Sequence, residues 1–239
     1  MGGAESKAAH RKIHETTLAG VRFPNTFELY YEPSWKKLKL GLGPDPSQPL
    51  YTFNLPEGWW GDLIMYDGPT LEYPPLAAVR NTGKLGMGNA VTLPPLGPGL
   101  EVLDEQMSRR RKGLMDVFSF AAVVDVREGE KTTRRVERFE WVGSGRKEVK
   151  DLHEWRHGWK LRRVVATGAD EDDDEAANDI PAGEVLAVWA DSATMSLRKA
   201  AKFQFLNSGA TGELGEAWAL MAVITFVRIW QRYMQVAMT

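Results

Sequence analysis

The sequence predicts a mostly β protein, a closed antiparallel barrel of about twelve strands around a buried hydrophobic C-terminal helix. Three observations lead to this prediction. The first is a long series of short apolar or alternating runs separated by Pro and Gly, and the second is one apolar stretch near the C-terminus. The third is size, because 239 residues with 43% hydrophobic and 26% charged side chains suit one large globular domain.

The first half of the chain contains six short runs with the character of β-strands. Residues 27–31 are rich in aromatic side chains and lie between Pro24 and Pro33, and residues 38–42 alternate apolar with polar or small residues. The other four runs are residues 50–54, 62–66, 76–81 and 90–93. Strands of this length, with turn residues about every 8–12 positions, are typical of β-sandwiches and barrels.

The second half continues with longer runs. In residues 133–142, Val136, Phe139 and Trp141 interleave with charged side chains. The six predicted strands here are residues 115–126, 133–142, 148–155, 159–165, 185–190 and 200–206. A sheet of about twelve strands rarely stays open, and closure into a barrel removes its unpaired edges.

The C-terminal stretch predicts a central helix over residues 211–236. Thr211 is a candidate N-cap, and between residues 217 and 227 the only polar side chain is Thr225. A helix that is apolar all round is buried, and an apolar run of this length is shorter than the roughly 20 residues that span a bilayer. We therefore place the helix inside the barrel. Its expected core side chains are Trp218, Leu220, Met221, Ile224, Phe226 and Trp230.

The predicted domain organisation is simple. Residues 1–22 are polar and are expected to form a flexible N-terminal tail, followed by a single barrel domain over residues 23–236. Residues 170–175 are six consecutive acids, which indicates an acidic surface loop over residues 169–179. A calcium site is a weaker interpretation of this run, because the alternating ligands and central glycine of a calcium-binding loop are missing.

Composition excludes several classes of function. The net charge of −2 provides no overall field that would recruit nucleic acid, and we expect no nucleic-acid partner. The chain contains no cysteine, which excludes disulfides, thiolate metal sites and a cysteine nucleophile. This usage suits a reducing compartment, so we expect a cytoplasmic protein without a transmembrane segment.

One motif suggests an enzyme. His153, Glu154 and His157 satisfy H-E-x-x-H, in which a helix brings two histidines to one zinc ion and the glutamate serves as general base. The flanking segments read as strands, however, and on a strand the two histidines lie about 13 Å apart. A zinc-dependent hydrolase therefore stays as an alternative, and we expect neither a metal nor another cofactor.

Two basic clusters are candidates for binding an anionic lipid headgroup, because arginine binds phosphate oxygens bidentately. The four consecutive cations Arg109, Arg110, Arg111 and Lys112 are expected in the connection before residue 115. The other cluster is Lys36, Lys37 and Lys39. A solvated loop is the plainer interpretation of both clusters.

The N-terminus carries a possible acylation signal. Gly2 and Ser6 satisfy the N-myristoylation pattern, with Gly2 as the acceptor, and Lys7, Arg11 and Lys12 follow. One acyl chain binds a membrane only marginally, so a basic second signal would be required. The alternative is an unmodified tail.

The order of these features resembles the tubby C-terminal-like superfamily, which includes tubby domains, LURP-one-related proteins and phospholipid scramblases. The resemblance extends over about residues 23–234 and is carried by FELYYEPSW, WVGSGRKEV, GWKLRRVV, VLAVWAD and TGELGEAWALMAVITFVRIW. It is greatest to uncharacterised fungal members. It implies a twelve-stranded barrel around a hydrophobic helix and, from the tubby branch, phosphoinositide binding. No motif transfers a tubby lipid-binding residue to a position in this sequence.

These observations favour a non-enzymatic binding or scaffold module that recognises phosphoinositide or other anionic lipid headgroups at the periphery of a membrane. The alternatives are a protein-interaction domain with no small-molecule ligand and the zinc hydrolase. Fold alone does not decide between them.

Overall fold

The structure, a computed structural model, describes residues 3–32, 38–82, 88–97, 99–112, 115–128, 131–145, 147–152, 158–164, 183–191 and 199–237. Within these ranges the chain forms twelve strands, four α-helices and one 3-10 helix (Gly58–Trp60). The strands are β1 (Thr26–Glu32), β2 (Leu38–Gly43), β3 (Tyr51–Leu55), β4 (Leu63–Tyr66), β5 (Pro75–Thr82), β6 (Gly88–Leu93), β7 (Leu103–Lys112), β8 (Met115–Glu128), β9 (Lys131–Ser144), β10 (Gly158–Arg163), β11 (Val185–Asp191) and β12 (Lys199–Phe205). The helices are α1 (Ala4–Glu15), α2 (Lys147–Leu152), α3 (Ser208–Thr211) and α4 (Glu216–Ala237).

The twelve strands close into one antiparallel barrel, as the sequence predicts. Each strand pairs with the strand before and after it in the chain, and β1 closes the ring by pairing with β12. In this closing pair Phe27 lies opposite Phe203, and their rings stack with centroids 4.7 Å apart. Closure therefore joins the two ends of the β segment through an aromatic contact in the core.

Helix α4 lies inside the barrel. Every side chain from Leu220 to Trp230 is buried, and the six predicted core residues are each no more than 1% exposed. Strands on different sides of the ring contact it. Phe226 packs on Trp189 of β11 and Phe203 of β12, whereas Arg228 donates a hydrogen bond to Asn89 of β6 on the opposite side of the ring. Such contacts from around the ring require the helix to occupy the lumen.

The start of α4 differs from the predicted one. Thr211 ends the short helix α3, and α4 begins five residues later at Glu216. Gly212 and Gly215 between them have φ values of +77° and +87°, which favour glycine. At Gly215 a Cβ atom would lie 2.6 Å from a carboxylate oxygen of Asp125, so the glycine also permits a close approach to β8.

The prediction of a flexible tail over residues 1–22 is wrong for the part of it that forms α1. Ala9 and Ile13 of this helix pack on Ile64, Tyr66 and Ala78 of the neighbouring strands. The spacing of four residues between Ala9 and Ile13 brings both side chains to one face of a helix. The apolar stripe is narrow and consists mostly of alanine, which is why the sequence reads as polar.

The predicted strand over residues 148–155 is also wrong, because residues 147–152 form helix α2. Val149 and Leu152, three residues apart on one helical face, pack on Val188 and Ala190 on the outside of β11. The sequence instead missed β7. The predicted number of strands is therefore right, with one strand exchanged for another.

The side-chain hydroxyl of Thr225 joins helix α4 to the wall of the barrel. It accepts a hydrogen bond from the indole N–H of Trp141, at 3.0 Å, and donates to the carbonyl oxygen of Met221, at 2.7 Å. Thr225→Val keeps the shape but leaves the buried indole N–H unpaired. We expect this change to lower the free energy of unfolding, measured in urea, by about 1–3 kcal/mol.

The control is a double-mutant cycle with Trp141→Phe, which removes the same indole donor. In the Trp141→Phe background, Thr225→Val should cost about 1 kcal/mol less than it does in the parent chain. Strictly additive effects of the two changes would show that the two groups are not bonded.

Candidate anion-binding surface

The predicted basic cluster of residues 109–112 lies on strand β7 and not in a connection between strands. Because alternate residues of a strand face opposite sides of the sheet, one surface cannot hold the whole cluster. Met107 is buried in the core, so Arg109 and Arg111 face inward towards the mouth of the barrel and Arg110 faces outward. The side chain of Lys112 lies outside the described part of the structure.

Arg110 forms an ion-pair triad on the outside of the barrel. Its Nη2 atom donates to Oε1 of Glu140, at 2.5 Å, and Nη2 of Arg162 donates to Oε2 of the same carboxylate, at 2.9 Å. The side chain of Arg110 is 53% exposed, whereas that of Glu140 is only 7% exposed. The carboxylate therefore lies beneath the guanidinium groups, and the positively charged guanidinium of Arg110 is the group exposed to solvent.

Strand register explains how the triad forms. Phe139 and Trp141 of β9 are buried in the core, which directs Glu140 outward. Glu140 lies opposite Arg162 of β10 on one side and Ser119 of β8 on the other. The small side chain of Ser119 lets Arg110 reach Glu140 from β7, across the intervening strand.

Two more cations share this face. Arg138 lies two residues before Glu140 and is exposed, and Lys160 lies two residues before Arg162 and is partly buried. We name this group the outer basic surface, and its members are Arg110, Arg138, Lys160, Arg162 and the central Glu140. Among these named side chains four are cations and one is a buried anion, and a predominance of Lys and Arg favours the binding of an anion.

The second predicted cluster does not join this surface. Lys39 lies on β2, and the strand order places five steps between β2 and β7. At about 4.8 Å a step, the two clusters are about 24 Å apart around the sheet. Lys39 lies near Glu32, whose carboxyl pKa is raised by burial and partly lowered again by the lysine. Lys36 and Lys37 lie outside the described residues.

Arg109 and Arg111 belong to the mouth of the barrel at the end where α4 finishes, which we call the α4 C-terminal end. Nη2 of Arg109 lies 2.8 Å from Oδ2 of Asp116. Arg232 of α4 lies close to Arg109. Burial, and then the positive charge of Arg109, lower the pKa of Arg232. Asp191 lies at the same mouth, and burial raises its pKa to about 6.

A buried polar cluster lies just below this mouth. Arg228 is fully buried, and its Nε donates to Oδ1 of Asn89, at 2.8 Å, while Nη1 donates to Oε1 of Gln231, at 2.7 Å. Nη2 donates to Oδ1 of Asn81. Burial, with a smaller effect of Arg232, lowers the pKa of Arg228 to about 10. Neutral oxygens thus solvate this cation inside the barrel.

The buried cluster holds the turn between β3 and β4. Three consecutive carbonyl oxygens of this turn accept hydrogen bonds from side chains of the cluster. The donors are Nε2 of Gln231 to Trp59 at 2.8 Å, Nδ2 of Asn81 to Trp60 at 3.2 Å, and Nη1 of Arg228 to Gly61 at 2.9 Å. The backbone of residues 59–61 is therefore fixed to the helix and to β5.

Sequence reasoning missed this cluster, because Arg228 reads as a cation near the C-terminus of a helix. One signal was present: Arg228 follows the apolar run directly, and Gln231 lies one helical turn later. The corresponding signal in the sheet was a pair of asparagines, Asn81 and Asn89, which lie opposite each other on the paired strands β5 and β6.

The remaining predicted residues lie outside the described ranges. They are Gly2, the H-E-x-x-H residues His153, Glu154 and His157, and the acidic loop 169–179. In the described part of the chain, no three His, Asp or Glu side chains are grouped so that they could hold a metal ion. No helix in these ranges has both the length and the hydropathy needed to cross a membrane.

Comparison of this chain with known protein families, with curated proteins and with solved structures found no match.

The raised pKa of Asp191 predicts a specific pH dependence of stability. The folded state binds the proton more tightly than the unfolded chain, in which the carboxyl pKa is near 3.8. The contribution of Asp191 to stability is therefore full below the unfolded-state pKa of 3.8 and is lost as the pH rises through about 6.

Asp191→Asn removes this titration. Relative to the variant, the wild type should lose about 2 kcal/mol of unfolding free energy between pH 4 and pH 7. Urea denaturation of both proteins across this range measures the difference. Parallel stability curves would show that Asp191 has an ordinary pKa.

Proposed function

We propose that this chain is a non-enzymatic module that binds anionic lipid headgroups through the outer basic surface. The observation that carries the proposal is the arrangement of charge around Glu140, with two arginines bound to one buried carboxylate and the guanidinium of Arg110 still exposed. The carboxylate holds the arginines in place, so little side-chain freedom is lost when an anion binds.

Arginine is the residue type that suits this ligand. A guanidinium group carries five N–H donors in a planar fork that matches two oxygens of a phosphate. Arg110 uses Nη2 on Glu140, and half of its side chain faces solvent. Arg138 on the next strand but one is exposed on the same face and adds a further guanidinium group to this surface.

The resemblance to the tubby C-terminal-like superfamily, greatest to its fungal members, supports the same function, because phosphoinositide binding is known in the tubby branch. A cytoplasmic protein that associates peripherally with a membrane follows from this proposal. The closed barrel is compatible with a binding role.

Two charge changes of opposite sign test the outer basic surface. Arg110→Gln with Arg138→Gln should weaken binding to vesicles of phosphatidylcholine and phosphatidylinositol phosphate by about 30-fold, at about 1 kcal/mol per cation near the membrane. Glu140→Gln keeps a side-chain oxygen that can accept hydrogen bonds from the arginines but removes the buried negative charge beneath them, so it should strengthen binding. Vesicle flotation at two salt concentrations measures both effects, and binding should fall with salt.

The matched control is Arg80→Gln, which removes one exposed cation on β5, away from the outer basic surface. Arg80→Gln should change vesicle binding far less than Arg110→Gln alone or Arg138→Gln alone. Equal effects at all three positions would indicate a nonspecific charge effect. Failure of the wild type to float with anionic vesicles would contradict the proposal and favour the protein-interaction domain.

A further inference from the structure

One acidic side chain lies among aromatic rings at the α4 C-terminal end of the barrel. Asp191 is the last residue of β11, and it faces the lumen because Trp189, two residues earlier, is buried in the core. Burial, and then the charge of Asp191, raise the pKa of Tyr31 to about 12. Burial, and then the charges of Asp116 and Asp191, raise the pKa of Tyr233 to about 12. The carboxylate of Asp191 is therefore close to two phenol rings, one from β1 and one from α4.

Contacts with α4 determine where the rings around this carboxylate lie. Tyr233 meets Trp159 of β10 edge-on, with ring centroids 5.4 Å apart, and Trp159 stacks on Trp189 at 6.0 Å. Tyr31 meets Trp230 of α4 edge-on at 5.7 Å. Trp230 and Tyr233 lie three residues apart and therefore share one face of the helix. The helix thus packs against rings from both sides of β11.

The carboxylate and its aromatic neighbours form one site, and solvent reaches it from the mouth. We name Asp191, Tyr31, Trp159 and Tyr233 the aromatic acidic site. Asp191 and Tyr31 are partly exposed, and Tyr233 is 39% exposed. The residue opposite Asp191 on β12 is Ala201, so only a small side chain lies beside the carboxylate on that strand. A small solute can therefore contact both the carboxylate and the rings.

In the described part of the chain, no cation balances the charge of Asp191. Burial raises its pKa, and no described Lys or Arg opposes that rise. Arg109 of the same mouth is bound to Asp116 at 2.8 Å, and Arg232 lies near that pair. A carboxylate that is largely removed from water and lacks a cationic neighbour gains from binding a cation. Such a group in an accessible position is a candidate binding residue.

The chemistry of the aromatic acidic site favours an organic cation over a metal ion. The site contains one carboxylate, and the described residues include no group of three His, Asp or Glu that could hold a metal. The faces of aromatic rings attract a quaternary ammonium group that lies within about 6 Å of the ring centroid. Its methyl groups need no hydrogen-bond acceptor, whereas a primary ammonium has three N–H donors that aromatic rings satisfy poorly.

We propose that the aromatic acidic site binds a small organic cation with a quaternary ammonium group. Asp191 balances the charge of this cation, and the three rings contact its methyl groups. The inference goes beyond the proposed headgroup binding and does not depend on it, because the outer basic surface lies on the outside of the wall. The same quaternary ammonium chemistry occurs in free choline and in the headgroup of phosphatidylcholine.

Isothermal titration calorimetry of the full chain with choline chloride tests the site directly. Asp191→Asn should weaken choline binding at pH 7.5 by at least about tenfold. This variant should fold, because it removes a carboxylate whose charged form is penalised by burial. Tyr233→Leu should weaken binding by about tenfold, whereas Tyr233→Phe keeps the ring and should bind choline as the wild type does.

The matched control is Tyr73→Leu, which removes another exposed tyrosine. Tyr73 is 46% exposed and lies between β4 and β5, at the other end of the barrel. It should leave the affinity for choline unchanged. Equal losses for Tyr73→Leu and Tyr233→Leu, or equal losses for Tyr233→Phe and Tyr233→Leu, would overturn the proposal.

Two further titrations define the ligand. Ethanolamine differs from choline in carrying a primary ammonium, and it should bind about tenfold more weakly. Equal affinity for the two would overturn the preference for methyl groups. Vesicles of phosphatidylcholine, mixed with the wild type and with Asp191→Asn, identify the source of the cation. Binding of free choline indicates a soluble ligand, and binding of these vesicles alone, lost in the variant, indicates a lipid headgroup.

The affinity for choline should also depend on pH. It should fall about tenfold between pH 7 and pH 5, because protonation of Asp191 removes the charge that attracts the ligand. The two tyrosines of the site stay neutral over this range, since their pKa is raised to about 12. The other described charged groups at this mouth, Arg109, Asp116 and Arg232, are unchanged in Asp191→Asn, which should lose the pH dependence. An affinity of the wild type that does not vary with pH would overturn the role of Asp191.

The outcomes also separate this inference from the proposed function. If neither free choline, at concentrations up to about 10 mM, nor phosphatidylcholine vesicles bind, the aromatic acidic site is wrong. Binding of phosphoinositide vesicles through Arg110 and Arg138 would then still stand. If choline binds but anionic vesicles do not, only the proposed headgroup binding is wrong.

Discussion

The burial of α4 inside the barrel is the constraint on which the rest of the structure depends. A barrel of twelve strands has a lumen that must be filled, and the helix fills it with Trp218, Phe226 and Trp230. Every polar group on the buried part of the helix then needs a partner inside the barrel. Thr225 binds Trp141, and Arg228 binds asparagine and main-chain oxygens, so the lining of the barrel and the helix specify each other.

The same constraint connects the core to the surface. Arg228 and Gln231 reach from the helix to the turn that carries Trp60, so the position of an exposed side chain is determined by buried hydrogen bonds. On the outer wall, Glu140 has an equivalent role for Arg110 and Arg162. In both places a buried polar group fixes the position of an exposed one.

The sequence predicted the elements whose apolar pattern is strong and missed those whose pattern is weak. The barrel and α4 were predictable because their apolar residues recur clearly. Strand β7 was missed because only Leu103 and Met107 are apolar in it, and pairing with β6 and β8 holds it in the sheet. For the same reason Arg109–Lys112 was treated as one loop cluster, although strand alternation divides it between two faces. Helices α1 and α2 each bury only a few side chains, and a single apolar pair at helical spacing is too short a pattern to predict a helix.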